Sequence, residues 1–342
     1  MKAVIFRRHG GPDVLEFADV PDPSLAPGHL LVRINACALN HLDLWIRQGI
    51  PAYRIQLPHI SGADVAGIVE RVASDVTTVQ VGDPVILAPG LRCRQCAWCL
   101  AGEDHQCVSY GIRGAANDGG YAELTLARAD EAIPFPSDVS MEEAAALPLV
   151  FLTAWHMLVT RARLQAGETV LIHAAGSGIG HAAVQIARHL QATVYATVGS
   201  EAKAAKAKAF GAEEVINYRQ GAFEERVKTL TNGRGVNVVF EHIGPETWEG
   251  SLKSLARGGR LVTCGATSGP TTPLDLRYVF SRQLSILGSM MGTHSELLEV
   301  IRLFGAHRLT PCVDTVFPLA EARRAQERLL NREVFGKLIL AP

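Results

Sequence analysis

The chain has 342 residues, of which 48% are hydrophobic and 20% charged, and its formal net charge is −1. This length predicts about two domains, and the near-neutral charge excludes a nucleic acid or an anionic membrane as the expected partner. No apolar run approaches the roughly 20 residues that span a bilayer, and the first residues lack the pattern of a secretory signal. We therefore expect a cytoplasmic protein with no membrane partner.

The N-terminal part of the chain has the pattern of short antiparallel strands. Residues 1–35 alternate apolar and polar positions, and glycine and proline interrupt them. This is typical of barrel-like β structure. Residues 38–49 predict a short helix that ends at Gly49. Further strands are predicted over 62–73, 81–89 and 120–127.

The pattern changes to helix at residue 140. A helix is predicted over 140–158, with Ser140 as its N-cap and two glutamates in its first turn. Strands and helices then alternate, which predicts a parallel sheet covered by helices on both faces. The tail, with helices over 295–309 and 319–331 and a strand over 337–340, is expected to return to the first domain. The six strands of the parallel sheet are predicted near 169–173, 192–197, 214–217, 236–241, 259–264 and 284–288.

A turn of small residues follows the first of these six strands, within residues 170–188. Small residues let the backbone turn sharply and let a large ligand approach it closely. The next helix presents free N–H groups and the positive end of its dipole, which suits a pyrophosphate. A turn of this kind is weak evidence alone, but its place after the first strand predicts a dinucleotide site.

Four of the seven cysteines are spaced C-x2-C-x2-C-x7-C. Four thiolates so close together suit a tetrahedral Zn²⁺ ion whose four positions are all filled by protein. Such a closed site is structural rather than catalytic. The alternatives are an iron–sulfur cluster and free surface thiols. The predicted zinc ligands are Cys93, Cys96, Cys99 and Cys107.

The order of these parts resembles the medium-chain dehydrogenase/reductase superfamily. The most specific matches are the cysteine lobe and the segments 175–188, 206–218 and 283–289. The resemblance implies an α/β protein with two domains. One is a GroES-like antiparallel β-barrel formed by residues 1–140 with 292–342, with its zinc lobe at 90–110. The other is a Rossmann domain formed by residues 141–291, with a doubly wound parallel sheet of six strands.

The resemblance also indicates which metal sites the chain keeps. Zinc alcohol dehydrogenases of this superfamily hold a catalytic zinc with a Cys, a His-Glu pair and a second Cys. This chain has Asn40, then Ala63 with Asp64, and then Leu149 at those places. Because alanine and leucine offer no donor atom, we expect the structural zinc and no catalytic one.

Residues 39–49 instead resemble the quinone oxidoreductase branch, which is zinc-free and reduces quinones or activated C=C bonds with NADPH. The complete cysteine lobe is a departure from that branch. Asn40, Asp43, Arg47 and Tyr53 match positions that line the substrate pocket there, and they are our catalytic candidates. Asn40, Arg47 and Tyr53 could donate hydrogen bonds to a developing enolate oxygen. Asp43 accepts only, so we expect it to orient its neighbours.

Two alternatives remain open. His41, His59 and Asp64 could converge on a second metal ion, which would favour a zinc-dependent NAD(P) alcohol dehydrogenase with a rearranged site. The chain could also be a nucleotide-sensing or structural protein, like the lens crystallins that share this fold, and this alternative predicts NADPH binding without turnover. The small-molecule substrate itself is not indicated by the sequence.

The resemblance favours NADPH over NADH. At the end of the second strand of the Rossmann domain, Val198 occupies the place where NAD enzymes carry an acid. The nearby Glu201 is interpreted as compensating the helix dipole. Lys203, Tyr218 and Arg332 match residues that surround the extra phosphate in NADPH-using relatives. The other predicted cofactor contacts are Thr153, Gly176, Ser177, Gly178, Ile179, Gly180, Gly199, Ser200, Ile243 and Gly265.

The segment 282–292 resembles the edge strand through which relatives pair their sheets. We therefore expect a homodimer or a homotetramer.

Overall fold

The structure is a computed structural model that describes residues 1–51 and 53–342. The chain forms two compact units. Unit 1 contains Met1–Leu149 and Thr293–Pro342, and unit 2 contains Val150–Gly292. Within the described ranges, no helix is both long enough and apolar enough to cross a membrane.

The described residues form strands in both units, numbered here along the chain. They are β1 Lys2–Phe6, β2 Glu16–Asp19, β3 His29–Ala38, β4 His59–Ile60, β5 Asp64–Val72, β6 Pro84–Leu87, β7 Gly90–Leu91, β8 Gly111–Ile112, β9 Leu124–Arg128, β10 Ala132–Pro134, β11 Thr169–Ile172, β12 Thr193–Val198, β13 Glu214–Asn217, β14 Val236–Glu241, β15 Leu255–Thr263, β16 Ser285–Gly288, β17 Val313–Pro318 and β18 Lys337–Ala341.

The helices are numbered in the same way. They are α1 His41–Gln48, α2 Ala97–Leu100, α3 Met141–Ala146, α4 Pro148–Trp155, α5 Gly178–His189, α6 Glu201–Ala209, α7 Phe223–Leu230, α8 Pro245–Ser254, α9 Leu276–Arg282, α10 His294–Gly305 and α11 Ala322–Leu330. Short 3-10 turns lie at Pro12–Val14, Asp104–Gln106, Ala129–Glu131 and Leu319–Glu321, and a π-helical turn at His156–Arg161 follows α4.

Unit 1 contains the predicted antiparallel β structure. Its largest sheet has the order β10-β6-β5-β3-β18-β17, and β9 also pairs with β3. Alternate residues of β3 and β5 supply apolar side chains to the core. The tail belongs to this unit, and its strand β18 lies between β3 and β17. The pair β17–β18 is parallel, whereas the other pairs of this sheet are antiparallel.

Unit 2 is built on one parallel sheet of six strands in the order β13-β12-β11-β14-β15-β16. Counted within the unit, this is the order 3-2-1-4-5-6 of dinucleotide-binding folds. All four residues of β11 are buried, as are five of the six residues of β14. Such buried and mainly apolar strands suit a sheet that helices cover on both faces. The predicted α/β fold class is therefore confirmed.

The single helix predicted over 140–158 is interrupted in the structure. Helix α3 ends before Leu147, and α4 begins at Pro148. Proline has no N–H group to donate within a helix, and it suits the first position of a new one. The helix predicted over 38–49 begins at His41, because residues 29–38 belong to β3 and Asn40 is the N-cap.

Candidate functional site

The turn between β11 and α5 has the geometry of a phosphate-binding turn. Ala174 lies in the left-handed region with a φ of +46°. Ser177 is the N-cap of α5, and its hydroxyl accepts a hydrogen bond from the N–H of Gly180 at 3.0 Å. A Cβ atom at Gly180 would clash with the carbonyl oxygen of Ala174. Glycine is required at this position so that the helix can start close against the strand, which fits a bound pyrophosphate.

The other predicted cofactor contacts of unit 2 follow the carboxyl ends of its strands. Gly199 follows β12, Ile243 follows β14, and Gly265 follows β15 by two residues. In open parallel sheets, ligands bind at this edge, where the strand order reverses between β11 and β14. Thr153 lies on α4, and its hydroxyl is 3.7 Å from the sulfur of Met291.

The residues predicted to bind the extra phosphate of NADPH lie in both units. Ser200 caps α6 by accepting from the N–H of Lys203 at 3.4 Å. A Cβ at Gly199 would lie 2.6 Å from the Tyr218 hydroxyl, so these residues form one cluster in unit 2. Arg332 lies in unit 1, just after α11, with a φ of +57°.

The acidic residue nearest to this cluster in sequence, Glu201, already has partners. Its Oε1 atom accepts hydrogen bonds from the Asn217 amide at 2.9 Å and the Gln220 amide at 3.1 Å. Glu201 also lies in the first turn of α6, where a carboxylate is stabilised by the helix dipole. Glu201 thus contacts two side chains of its own unit at the start of α6.

A buried carboxylate that the sequence did not indicate supports the loop after β14. Glu241 is fully buried, and it accepts from the N–H groups of Ile243 at 2.6 Å and Gly244 at 3.1 Å. It also accepts from the hydroxyl of Ser251, which contacts His173 at 2.8 Å. Burial lowers the pKa of His173 to about 4. The network therefore links the ends of β11 and β14, where the cofactor candidates begin.

The four predicted zinc ligands come together. The sulfur atoms of Cys93, Cys96, Cys99 and Cys107 all lie within 4.8 Å of one another. The sulfur atoms of Cys93 and Cys99 are 4.0 Å apart, close to the roughly 3.8 Å of a tetrahedral site with Zn–S bonds of about 2.3 Å. The N–H groups of Cys99 and Val108 lower the pKa of Cys96 to about 6, which favours the thiolate. The donor set fits a structural zinc ion.

Asn40 is the N-cap of α1, and Asp43 in the first turn of the helix bonds back to it. The Asp43 carboxylate accepts from the N–H of Asn40 at 2.8 Å and from the hydroxyl of Tyr121 at 2.9 Å. Asp43 is 1% exposed, and burial raises its pKa to about 6. The carboxylate thus holds the backbone of Asn40.

Asp64 is at the centre of a second buried contact. Its carboxylate accepts from the Asn40 amide at 2.9 Å, from the ammonium of Lys337 at 3.0 Å and from the N–H of Leu149 at 2.8 Å. Lys337 also donates to the Oδ1 atom of Asn40 at 2.6 Å. Of the positions matched to catalytic zinc ligands, Asn40 and Leu149 therefore meet at the Asp64 carboxylate, and an ammonium group contacts both Asn40 and Asp64.

The two remaining catalytic candidates differ in accessibility. Arg47 is fully buried, and it donates to the carbonyl of Gly10 at 2.6 Å and to Gln326 at 2.7 Å. Its position favours a structural role, because a substrate cannot reach a guanidinium group enclosed in this way. Tyr53 is half-buried, which raises the pKa of its hydroxyl.

The structure does not bring His41, His59 and Asp64 together as a metal site. Among the described residues, the cysteine cluster is the only group of three or more potential ligands close enough to hold an ion. His59 is buried, and its Nε2 atom lies 2.9 Å from the carbonyl of Gly114. Burial lowers the pKa of His59.

Sequence comparisons agree with this architecture. A family model for the alcohol dehydrogenase GroES-like domain matches residues 26–137, and one for zinc-binding dehydrogenases matches residues 178–306. A quinone oxidoreductase of Pseudomonas aeruginosa is 33% identical, over 100% of this chain and 99% of that protein. A 2-haloacrylate reductase of Burkholderia sp. is also 33% identical, over 99% of this chain and 98% of that protein.

A crystal structure described as an NAD-dependent alcohol dehydrogenase is 45% identical, covers 100% of both chains and has a TM-score of 0.97. The fold, the cysteine lobe and these relatives define a dehydrogenase with a GroES-like and a Rossmann-like domain. The chain belongs to the medium-chain dehydrogenase/reductase superfamily, in its quinone oxidoreductase-like branch, and is an oxidoreductase.

Proposed function

We propose that this chain is an NADPH-dependent oxidoreductase that reduces an activated C=C bond or a quinone without a catalytic zinc, and that it holds one structural zinc. The observation that carries the proposal is the contact of the Lys337 ammonium with Asn40 and Asp64. The carboxylate of Asp64 already has three donors, and Leu149 offers only its N–H group. A divalent cation at this place would meet a fixed positive charge.

The chemistry needs a hydrogen-bond donor rather than a Lewis acid. When bound, a nicotinamide cofactor supplies a hydride, and thus two electrons, to the β-carbon of the alkene. The π electrons of the substrate move onto its carbonyl oxygen, and water supplies a proton to the α-carbon. The charge on the oxygen is stabilised by donors that are already in place. Asn40, which is 6% exposed, and Tyr53 are the donors we propose in unit 1. Arg47 is left out because it has no exposed surface and its guanidinium already donates to Gln326 and to the carbonyl of Gly10.

Two observations support NADPH as the cofactor. Glu201, the acidic residue in the first turn of α6, is bound to Asn217 and Gln220, so it is not placed to accept from the ribose hydroxyls of NADH. Gly199, Ser200 and Tyr218 lie beside Lys203 in unit 2 and offer one cation and two hydroxyl groups to a phosphate. Arg332 of unit 1 is proposed as a second cation from its match to NADPH-using relatives.

The substrate class is supported by the names of relatives. The relatives include quinone oxidoreductases and a 2-haloacrylate reductase, whose names describe a quinone and an activated alkene. The second candidate function is NAD-dependent alcohol oxidation, which the 45% identical alcohol dehydrogenase favours.

A substrate panel separates the two functions. Quinones, enals, enones and acyl-CoA enoates are tested with NADPH and NADH, and primary and secondary alcohols with NADP⁺ and NAD⁺. We expect oxidation of NADPH by a quinone or an alkene, with a higher kcat/KM for NADPH than for NADH. Alcohol oxidation with NAD⁺ as the fastest reaction would support the second candidate and refute the proposal.

We further propose that the chain forms a homodimer or homotetramer through β16. This strand lies at the edge of the sheet of unit 2. Met290, two residues beyond it, is 53% exposed, and Phe280 on α9 is 71% exposed. Light scattering after size exclusion tests the proposal, and a monomer at micromolar concentration would refute it.

A further inference from the structure

Lys337 is a buried cation that the reaction proposed above does not yet use. It is the first residue of β18 and is 3% exposed. Its ammonium lies 2.6 Å from the Oδ1 atom of Asn40 and 3.0 Å from the Oδ2 atom of Asp64. We propose that Lys337 is a positioning residue, which holds the Asn40 carboxamide so that one of its N–H groups donates to the substrate oxygen. This inference rests on the proposed function.

The contacts of Asn40 allow its carboxamide only one orientation. An ammonium group only donates hydrogen bonds, and an ionised carboxylate only accepts them. Asn40 lies between the two, so its oxygen must face Lys337 and its NH₂ group must face Asp64. A flipped carboxamide would place NH₂ against the ammonium and oxygen against the carboxylate. Lys337 and Asp64 together therefore fix where the two amide hydrogens lie.

One of these hydrogens is only weakly engaged by the protein. The Nδ2 atom of Asn40 donates to Asp64 at 2.9 Å, and its other contact is the carbonyl of Ala38 at 3.5 Å. A separation of 3.5 Å is longer than a good N–H···O hydrogen bond. The hydrogen on this side is the donor we assign to the substrate oxygen.

The backbone of Asn40 is fixed independently of its side chain. Its N–H donates to Asp43 at 2.8 Å, and Asp43 is held in turn by the hydroxyl of Tyr121. A donor held at both its backbone and its side chain needs little rearrangement when charge develops on the substrate. The ammonium on the carbonyl side of the carboxamide also polarises it, which strengthens its N–H groups as donors.

The first test removes the ammonium and keeps most of the apolar stem, in Lys337→Met. We expect kcat for the substrate found in the panel to fall on the order of 10²-fold, the usual loss for one oxyanion donor. The Kd of NADPH, measured by its fluorescence on binding, should stay within about twofold, because the ammonium of Lys337 contacts Asn40 and Asp64, neither of which is a proposed cofactor contact. The kinetic isotope effect with deuterated NADPH should increase, because hydride transfer becomes slower relative to the other steps.

A purely structural role predicts a different result in a matched double variant. Lys337→Met alone leaves the Asp64 carboxylate buried without its cation, which costs stability. Lys337→Met with Asp64→Asn removes both charges of the pair. We expect this double variant to recover most of the thermal stability while kcat stays low. Recovery of kcat to within about threefold of the unmodified chain would overturn the inference.

A variant of Asn40 tests whether Lys337 acts through it. In an Asn40→Ala background, adding Lys337→Met and Asp64→Asn should lower kcat by less than about threefold, since the donor is already missing. If the two added substitutions lower kcat in the Asn40→Ala background as much as they do in the unmodified chain, the inference is overturned and the proposed function stays intact. An unmodified chain that oxidises NADPH with no member of the panel would instead overturn the proposed function, and this inference with it.

Discussion

The pKa of Asp43 leads to a test of the buried cluster in unit 1. Asp43→Asn keeps the shape of the side chain and leaves an oxygen that can accept from Asn40 and Tyr121. Burial raises the pKa of Asp43 from 3.8 to about 6. The folded chain therefore binds this proton more tightly than the unfolded chain does. Stability that depends on this proton is present at low pH and is lost as the pH rises through about 6.

The size of the effect follows from the shift. About two pKa units correspond to about 3 kcal/mol, at 1.36 kcal/mol per unit. The free energy of unfolding of the unmodified chain, minus that of Asp43→Asn, should fall by this amount between about pH 4 and pH 6. Above about pH 7 the difference should be constant, because Asp43 is then ionised in both states.

The assay must report on unit 1 alone. Trp45 and Trp98 lie in unit 1, whereas Trp155 and Trp248 lie in unit 2. Urea unfolding is therefore followed by tryptophan fluorescence in a background that carries Trp155→Phe and Trp248→Phe.

A free-energy difference that stays flat from pH 4 to pH 7, or that rises with pH, would show that folding does not raise the pKa of Asp43. Tyr121→Phe is the matched control. It keeps the buried ring and removes the hydroxyl that lowers the pKa of Asp43. In this background the free-energy difference made by Asp43→Asn should therefore go on falling to a higher pH.

Three further predictions concern the cofactor, the zinc lobe and Arg47. Lys203→Ala should raise the KM for NADPH on the order of tenfold and leave the KM for NADH unchanged. Glu201→Gln should change neither KM by more than about twofold. Steady-state kinetics of each variant with both cofactors measure these values. Cys96→Ser should lower the zinc content measured by mass spectrometry and the unfolding temperature, and an unchanged zinc content would contradict the assignment. Arg47→Met should lower the free energy of unfolding by roughly 2–4 kcal/mol, since it leaves Gln326 and the carbonyl of Gly10 without a donor, while KM for the substrate is unchanged.

The sequence predicts most of unit 2 because its signals are local. The six strands lie close to their predicted ranges, since each is a short apolar run between helices. The glycine-rich turn and the four cysteines are similarly local, with ligands that lie within fifteen residues of chain. Pro148 is a local signal as well, and its effect on the helix predicted over 140–158 follows from its missing N–H group.

The polar cluster of unit 1 could not be predicted in the same way. Lys337 and Asn40 are separated by 297 positions, and they meet only because β18 lies beside β3. Residue-by-residue reasoning identifies Asn40 and Asp64 but not the cation between them. The available signal is a lysine at the head of an otherwise apolar strand, at 337–340. The burial of Arg47 and the partners of Glu241 likewise depend on contacts distant in the chain.

Hydride transfer without a catalytic metal distinguishes the proposed function from that of a zinc-dependent alcohol dehydrogenase. The most direct test is to count the zinc ions per chain and to measure NADPH oxidation by a quinone or enone before and after treatment with a chelator. We predict about one zinc per chain, held by the cysteine lobe, and a rate that the chelator leaves unchanged while the chain stays folded. Two zinc ions per chain, with activity lost as the second is removed, would contradict a metal-free hydride transfer.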